Sequence, residues 1–129
     1  MSPAPFVAVY LVAVALLVGS FINLAADRLP RGESLIHPRS HCRSCDRVLS
    51  FVDLVPVGGY LLRRGRCAGC GAEIGVSSPM VEAACGLGMA ASLAIFGGVP
   101  GAVIGLATVG LIGVTTVAAA VIRPRARAR

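Results

Sequence analysis

Between Pro5 and Ala26 the chain runs for about twenty residues without one charged side chain. At about 1.5 Å of rise per residue, that is the length an α-helix needs to cross a hydrocarbon core. Two further apolar runs follow, from about Met80 to Phe96 and from about Val99 to Ile122. The charged residues are gathered between the first and second runs and at the C-terminal end. A soluble fold of this length interleaves polar and apolar residues to make an inside and an outside, so segregation into blocks points to a bilayer as the second solvent. Composition agrees, with 56% hydrophobic and 14% charged residues and a mean hydropathy of +0.82, well away from soluble usage.

The reading is an all-α integral membrane protein. It has a transmembrane helix over 1–26, a polar loop over 27–79, transmembrane helices over 80–97 and 98–122, and an Arg-rich tail over 123–129. The leading Met-Ser-Pro-Ala-Pro has no basic side chain and the run after it exceeds a signal-peptide core, so the first segment reads as an anchor. Gly97, Gly98, Pro100 and Gly101 punctuate a tight hairpin between the second and third helices. Gly97, Gly101 and Gly105 follow small-xxx-small spacing, which suits close helix approach either within the chain or across a dimer face.

Every basic residue is an arginine, and the formal charge is +6. Arg28, Arg31, Arg39, Arg43, Arg47, Arg63, Arg64 and Arg66 lie in the first loop and Arg123, Arg125, Arg127 and Arg129 in the tail, whereas the hairpin carries none. Three spans with the N-terminus outside place both Arg-bearing segments in the cytoplasm, as the positive-inside rule requires. Membrane topology and anionic lipid headgroups account for the arginines, and nucleic acid is not needed as a partner.

Cys42, Cys45, Cys67 and Cys70 spell C-x2-C, 21 residues, C-x2-C. Two such knuckles supply four thiolates to one tetrahedral zinc. The neighbouring arginines favour the thiolate form that a metal requires. Two disulfides are the competing reading, disfavoured in a reducing cytosol, and a redox-active or metal-sensing thiol set is a third. His37 and His41 are near enough in sequence to ligate, but four cysteines already complete the set, which leaves the histidines around the site or in solvent. Cys85, inside the second span, reads as a small packing residue. The loop's large apolar residues are too few for a core of their own, so metal binding would stand in for the missing burial.

Gly19-Ser20-Phe21, Asn23, Arg28-Leu29-Pro30-Arg31-Gly32-Glu33-Ser34, Pro38, Ser40, Cys42 and Cys45 together resemble the start of the type IV prepilin peptidases. Asp53-Leu54-Val55-Pro56, Arg64-Gly65-Arg66-Cys67, Cys70, Ile74, Pro79 and Glu82 continue that pattern in order, so the likeness covers roughly residues 15 to 90. The resemblance implies a bacterial inner-membrane protein acting on the N-terminal segments of prepilins or pseudopilins at the cytoplasmic face. It also implies a zinc-bearing N-terminal domain linked with S-adenosylmethionine-dependent N-methylation. Family peptidases cut with two membrane-embedded aspartates, one in a Gly-x-Gly-Asp motif that this sequence lacks; its acidic residues are Asp27, Glu33, Asp46, Asp53, Glu73 and Glu82. The chain then reads as a stand-alone or truncated N-terminal domain that is not a peptidase by itself, with one half of a split enzyme, completed by a separate aspartate-bearing subunit, as one form of it. Val76-Ser77-Ser78 also departs from the Arg and aromatic that commonly precede the proline. The alternative is a non-catalytic, zinc-stapled membrane scaffold that binds pilin leaders or a partner membrane protein.

Two polar residues near span ends, Asn23 and Glu82, are the candidates for catalysis or binding. Each has a structural alternative. Asn23 would bond a neighbouring helix, and Glu82 would favour the macrodipole from the first turn of a helix begun by Ser78 and Pro79. Arg28 reads as a snorkelling anchor, and Asp53 as the cap of a short helix or turn.

Overall fold

The computed structural model describes residues 4–122; Arg123, Arg125, Arg127 and Arg129 of the expected tail lie outside them. Helix α1 covers Ala4–Arg28 and passes into a 3-10 turn at Leu29–Arg31. A short helix α2, Gly58–Leu62, lies in the loop, followed by α3, Ser77–Phe96, and α4, Gly98–Ile122. No β-strand forms among the described residues; only two isolated bridges do, His41 to Val48 and Arg66 to Glu73. The chain is thus all-helical, and α1, α3 and α4 are each long and apolar enough to cross a membrane.

The two ends of the loop differ from the sequence expectation. Helix α1 runs on to Arg28, and α3 starts at Ser77, ahead of the expected 80. The residue before a proline is disfavoured in helical conformation but not excluded from it, so Pro79 falls inside the first turn of α3 rather than opening it. The hairpin is tighter than its composition suggests. Gly97 alone separates the helices, at φ +63°, and Pro100 and Gly101 already belong to α4.

The three long helices pack on one another around Ala15, Ile22, Cys85, Met89 and Val109. Cys85 is fully buried there, in the packing role read from its neighbours. Small residues set the helix approach. A Cβ on Gly19 would sit 2.8 Å from the Glu82 Cα, and one on Gly101 would sit 2.8 Å from the Ser92 carbonyl oxygen. Gly101 and Gly105 both face α3, so the small-residue spacing serves packing within the chain.

Candidate metal centre and adjoining cavity

The two cysteine knuckles are copies of one another at the constant offset from Cys42 to Cys67. The Cys42 amide donates to the Arg47 carbonyl as the Cys67 amide donates to Ala72, and the amides of Asp46 and Gly71 turn back to Cys42 and Cys67. The turn position has positive φ in both, +55° at Asp46 and +72° at Gly71. Glycine adopts that conformation freely and aspartate is among the few other residues that tolerate it. The shared pattern of cysteine, two residues, cysteine, then Asp or Gly is a signal that the sequence carries.

The four sulfurs lie within 4.8 Å of one another, with Cys42 to Cys70 at 3.8 Å and Cys45 to Cys67 at 3.9 Å. A tetrahedron with metal–sulfur bonds of about 2.3 Å has edges of roughly 3.8 Å, so the donor set fits a four-thiolate ion such as zinc. All four cysteines are free, and these separations are far from a disulfide bond of about 2.05 Å. The Cys70 and Gly69 amides bring the Cys67 thiol down to about 6. The amides of Ser44 and Cys45 lower that of Cys42. At Cys45 the Arg47 amide favours the thiolate, but hydrogen bonding with Cys70 and burial outweigh it and push the thiol up to about 11. His41 turns its ring to the Arg39 carbonyl, 2.9 Å away, rather than to the sulfurs.

Asp53 ties this centre to α2. Its carboxylate accepts from the Ser50 amide at 2.9 Å and hydroxyl at 2.7 Å, the turn-capping role expected of it. It also meets Arg63 at 2.7 Å and Arg47 at 3.1 Å, two ion pairs that sequence spacing does not reveal. The Ser50 amide and hydroxyl, joined by Arg63 and Arg47, hold the carboxyl well below the usual carboxylate range against an opposing push from burial. Arg47 in turn interacts with Cys67, and its Nη1 is buried with no hydrogen-bond partner among the described residues.

Breaking a buried ion pair costs about 3–5 kcal/mol. Because both arginines are about a third exposed, solvent screening lowers the expectation for Asp53→Asn to about 2 kcal/mol. Metal release to a chromogenic chelator during urea unfolding at neutral pH reads this; an unchanged midpoint would contradict it. The sign with pH follows from the depressed folded value. The contribution is complete above the unfolded carboxyl near pH 4 and disappears only as pH falls through the folded value, so on acidification protons displace metal from the thiolates first.

A cavity of about 750 Å³ opens between the knuckles and the loop-side ends of α1 and α3. Asn23, Asp27 and Arg28 line it from α1, Glu82 from α3, and Asp53 and Tyr60 from the loop. Both Asn23 and Glu82 therefore face one space. Glu82 does not lie in the first turn of α3 as expected, since α3 begins at Ser77. Its carboxylate is buried and accepts from the Val57 amide at 2.6 Å and the Ser78 hydroxyl at 3.0 Å. Val57 sits at φ +57°, ψ −47°, with the Gly58 amide bonded back to the Pro56 carbonyl. That is a γ-turn of the strained kind, rare for a β-branched residue. Strain of this sort concentrates at functional sites, and no sequence signal marked Val57.

Arg28 also departs from expectation. It is 5% exposed and donates to the carbonyls of Ser34 and Pro38, both at 2.7 Å, so it fastens the loop instead of reaching toward headgroups. Asp27 pairs with Arg31 and Arg43, and Arg43 stands beside Cys42. The first knuckle is thereby joined to the exit of α1.

The bacterial peptidase A24 N-terminal domain family matches residues 13–96. A prepilin leader peptidase/N-methyltransferase from Myxococcus xanthus is 42% identical over 93 residues, covering 72% of this chain and 28% of the relative. The protein of the same description from Bacillus subtilis is 36% identical over 88 residues, covering 63% and 36%. A type 4 prepilin-like proteins leader peptide-processing enzyme from Escherichia coli is 34% identical over 85 residues, covering 52% and 32%. The chain thus spans about a third of the length of these curated relatives. No solved structure matches significantly.

Proposed function

This chain belongs to the bacterial peptidase A24 N-terminal domain family, and from that premise we propose that it serves prepilin processing as a zinc-bearing domain. It holds the N-terminal segment of a prepilin or pseudopilin at the loop-side mouth of its helices, with the loop and C-terminus in the cytoplasm. The single observation that carries this reading is the cavity between the knuckles and the ends of α1 and α3, which brings Asn23 and Glu82 together beside the strained Val57.

Zinc, when bound, supplies a structural cross-link through Cys42, Cys45, Cys67 and Cys70. The residues of the chain do the rest. Glu82 fixes the Val57 turn, Asn23 offers an amide to a peptide backbone, and Arg28 keeps the loop over the cavity. The reaction assigned to this domain is methyl transfer from S-adenosylmethionine to a cleaved pilin N-terminus, the second activity in the relatives' names. Cleavage is assigned to an aspartate pair outside these residues, whether on a longer form of this chain or on a separate peptidase subunit. In support, Asp27, Asp53 and Glu82 each face arginines or N–H and O–H donors rather than one another, whereas an aspartic peptidase needs two carboxyls sharing a proton.

Methyl transfer from labelled S-adenosylmethionine to a pre-cleaved pilin peptide, by purified zinc-replete protein, tests the reading. Glu82→Gln is expected to lower the rate by about tenfold or more at unchanged zinc content, because it weakens a charge-assisted bond that positions the cavity wall. No transfer from a folded, zinc-replete sample would overturn the methyltransferase assignment and leave the non-catalytic scaffold, whose leader binding is then measured with the same peptide.

A further inference from the structure

The segment from Phe51 to Arg64 has two faces. Asp53, Leu54, Val55, Gly59, Tyr60 and Arg63 look into the cavity. Phe51, Val52, Leu61 and Leu62 do not line it and are exposed, Phe51 by 84% and Leu62 by 70%, with Leu54 and Val55 partly exposed beside them. Four large apolar side chains on so short a stretch form a patch that water does not favour.

Its position in the fold says what covers it. The Val57 amide, in the middle of the segment, is bonded to Glu82, and Glu82 lies five residues into a helix long and apolar enough to span a membrane. At 1.5 Å per residue this is about 8 Å from the start of α3, whereas the headgroup zone on each side of a bilayer is roughly 5–8 Å deep. With the first residues of α3 at the headgroup edge, the segment is tied near the level where acyl chains give way to headgroups. Arg64, exposed beside Leu62, adds a positive charge at the height of anionic headgroups.

We propose that residues 51–64 form an interfacial anchor, with Phe51, Val52, Leu61 and Leu62 seated in the loop-side leaflet and the opposite face roofing the cavity. The bilayer thereby becomes one wall of the site, and a substrate that is itself membrane-anchored would enter along the lipid surface.

The chain has no tryptophan, so Phe51→Trp places a single indole on the patch. The protein is reconstituted in phosphatidylethanolamine–phosphatidylglycerol vesicles, with Phe21→Trp on an exposed position of α1 as the lipid reference and Glu73→Trp in the second knuckle as the water reference. The expected result is blue-shifted emission quenched by brominated acyl chains to the extent seen for Phe21→Trp, and little quenching by aqueous iodide. Leu61→Trp, with its own zinc content as a check of folding, is expected to behave alike. Quenching of both by iodide and not by lipid, as for Glu73→Trp, would overturn the proposal. So would protection from both quenchers, which would mean that protein covers the patch.

Discussion

Cys67→Ser is expected to empty the metal centre and open the whole segment between α1 and α3 to protease while the three long helices stay inserted. Among the described residues, the buried hydrophobic side chains lie in α1, α3 and α4 with one exception, and that exception is Cys67. The loop has no apolar core to fall back on. Its order rests on the four sulfurs, on Asp53 with its two arginines and on Arg28. Structural zinc sites contribute apparent free energies of about 10–16 kcal/mol near neutral pH, more than the ion pairs can supply. Metal content by mass spectrometry should fall from one ion per chain to none, and limited proteolysis should cut within residues 32–76. A loop that stays resistant after complete metal removal would show that burial and ion pairs suffice without it.

Gly19→Leu is expected to disrupt the helix bundle, whereas Gly110→Leu should be nearly silent. The two positions are equivalent in composition: each is a glycine inside an apolar helix. They differ in what a Cβ would meet. On Gly19 it would lie 2.8 Å from the Glu82 Cα and 3.2 Å from the Cys85 Cβ, and on Gly110 nothing lies within 4 Å. Backbone atoms cannot rotate away, so α1 and α3 must separate. Overpacking of this kind costs about 1–3 kcal/mol or more, and here it also pulls Glu82 off the Val57 turn. Unfolding in mixed detergent micelles should show a clearly lower midpoint for Gly19→Leu and little change for Gly110→Leu. Equal effects at both positions would mean that α1 and α3 do not meet as described.

Much of the architecture was open to reading beforehand. Hydrophobic run length is a property of consecutive residues, so three spanning helices could be counted from the chain. The cysteine spacing was equally direct, because a knuckle is a local turn repeated twice. Asn23 and Glu82 stand out in the sequence as polar groups near span ends, and the structure puts both on one cavity. Only the structural alternative for Glu82 fails: a macrodipole argument uses its own helix alone, while α3 begins at Ser77 and the carboxylate accepts from an amide in the loop. Arg28 was misread for the same reason: snorkelling is the default of an isolated helix end, and the carbonyls of Ser34 and Pro38 give its guanidinium partners nearer than water.

The amino-acid order alone thus carries what depends on local pattern: helices long and apolar enough for the bilayer, two cysteine knuckles with metal-ligand spacing, and the arginine distribution on which the expected orientation rests. Contacts between segments far apart in sequence came only with the folded chain. They include which glycines admit a neighbouring helix, how Asp53 bridges Arg47 and Arg63, and why Val57 is held in a strained turn against Glu82. The physical reason is that periodicity and spacing report the solvent each segment prefers, whereas a buried carboxylate or a bare glycine is satisfied by whatever the packing brings within about 3 Å of it.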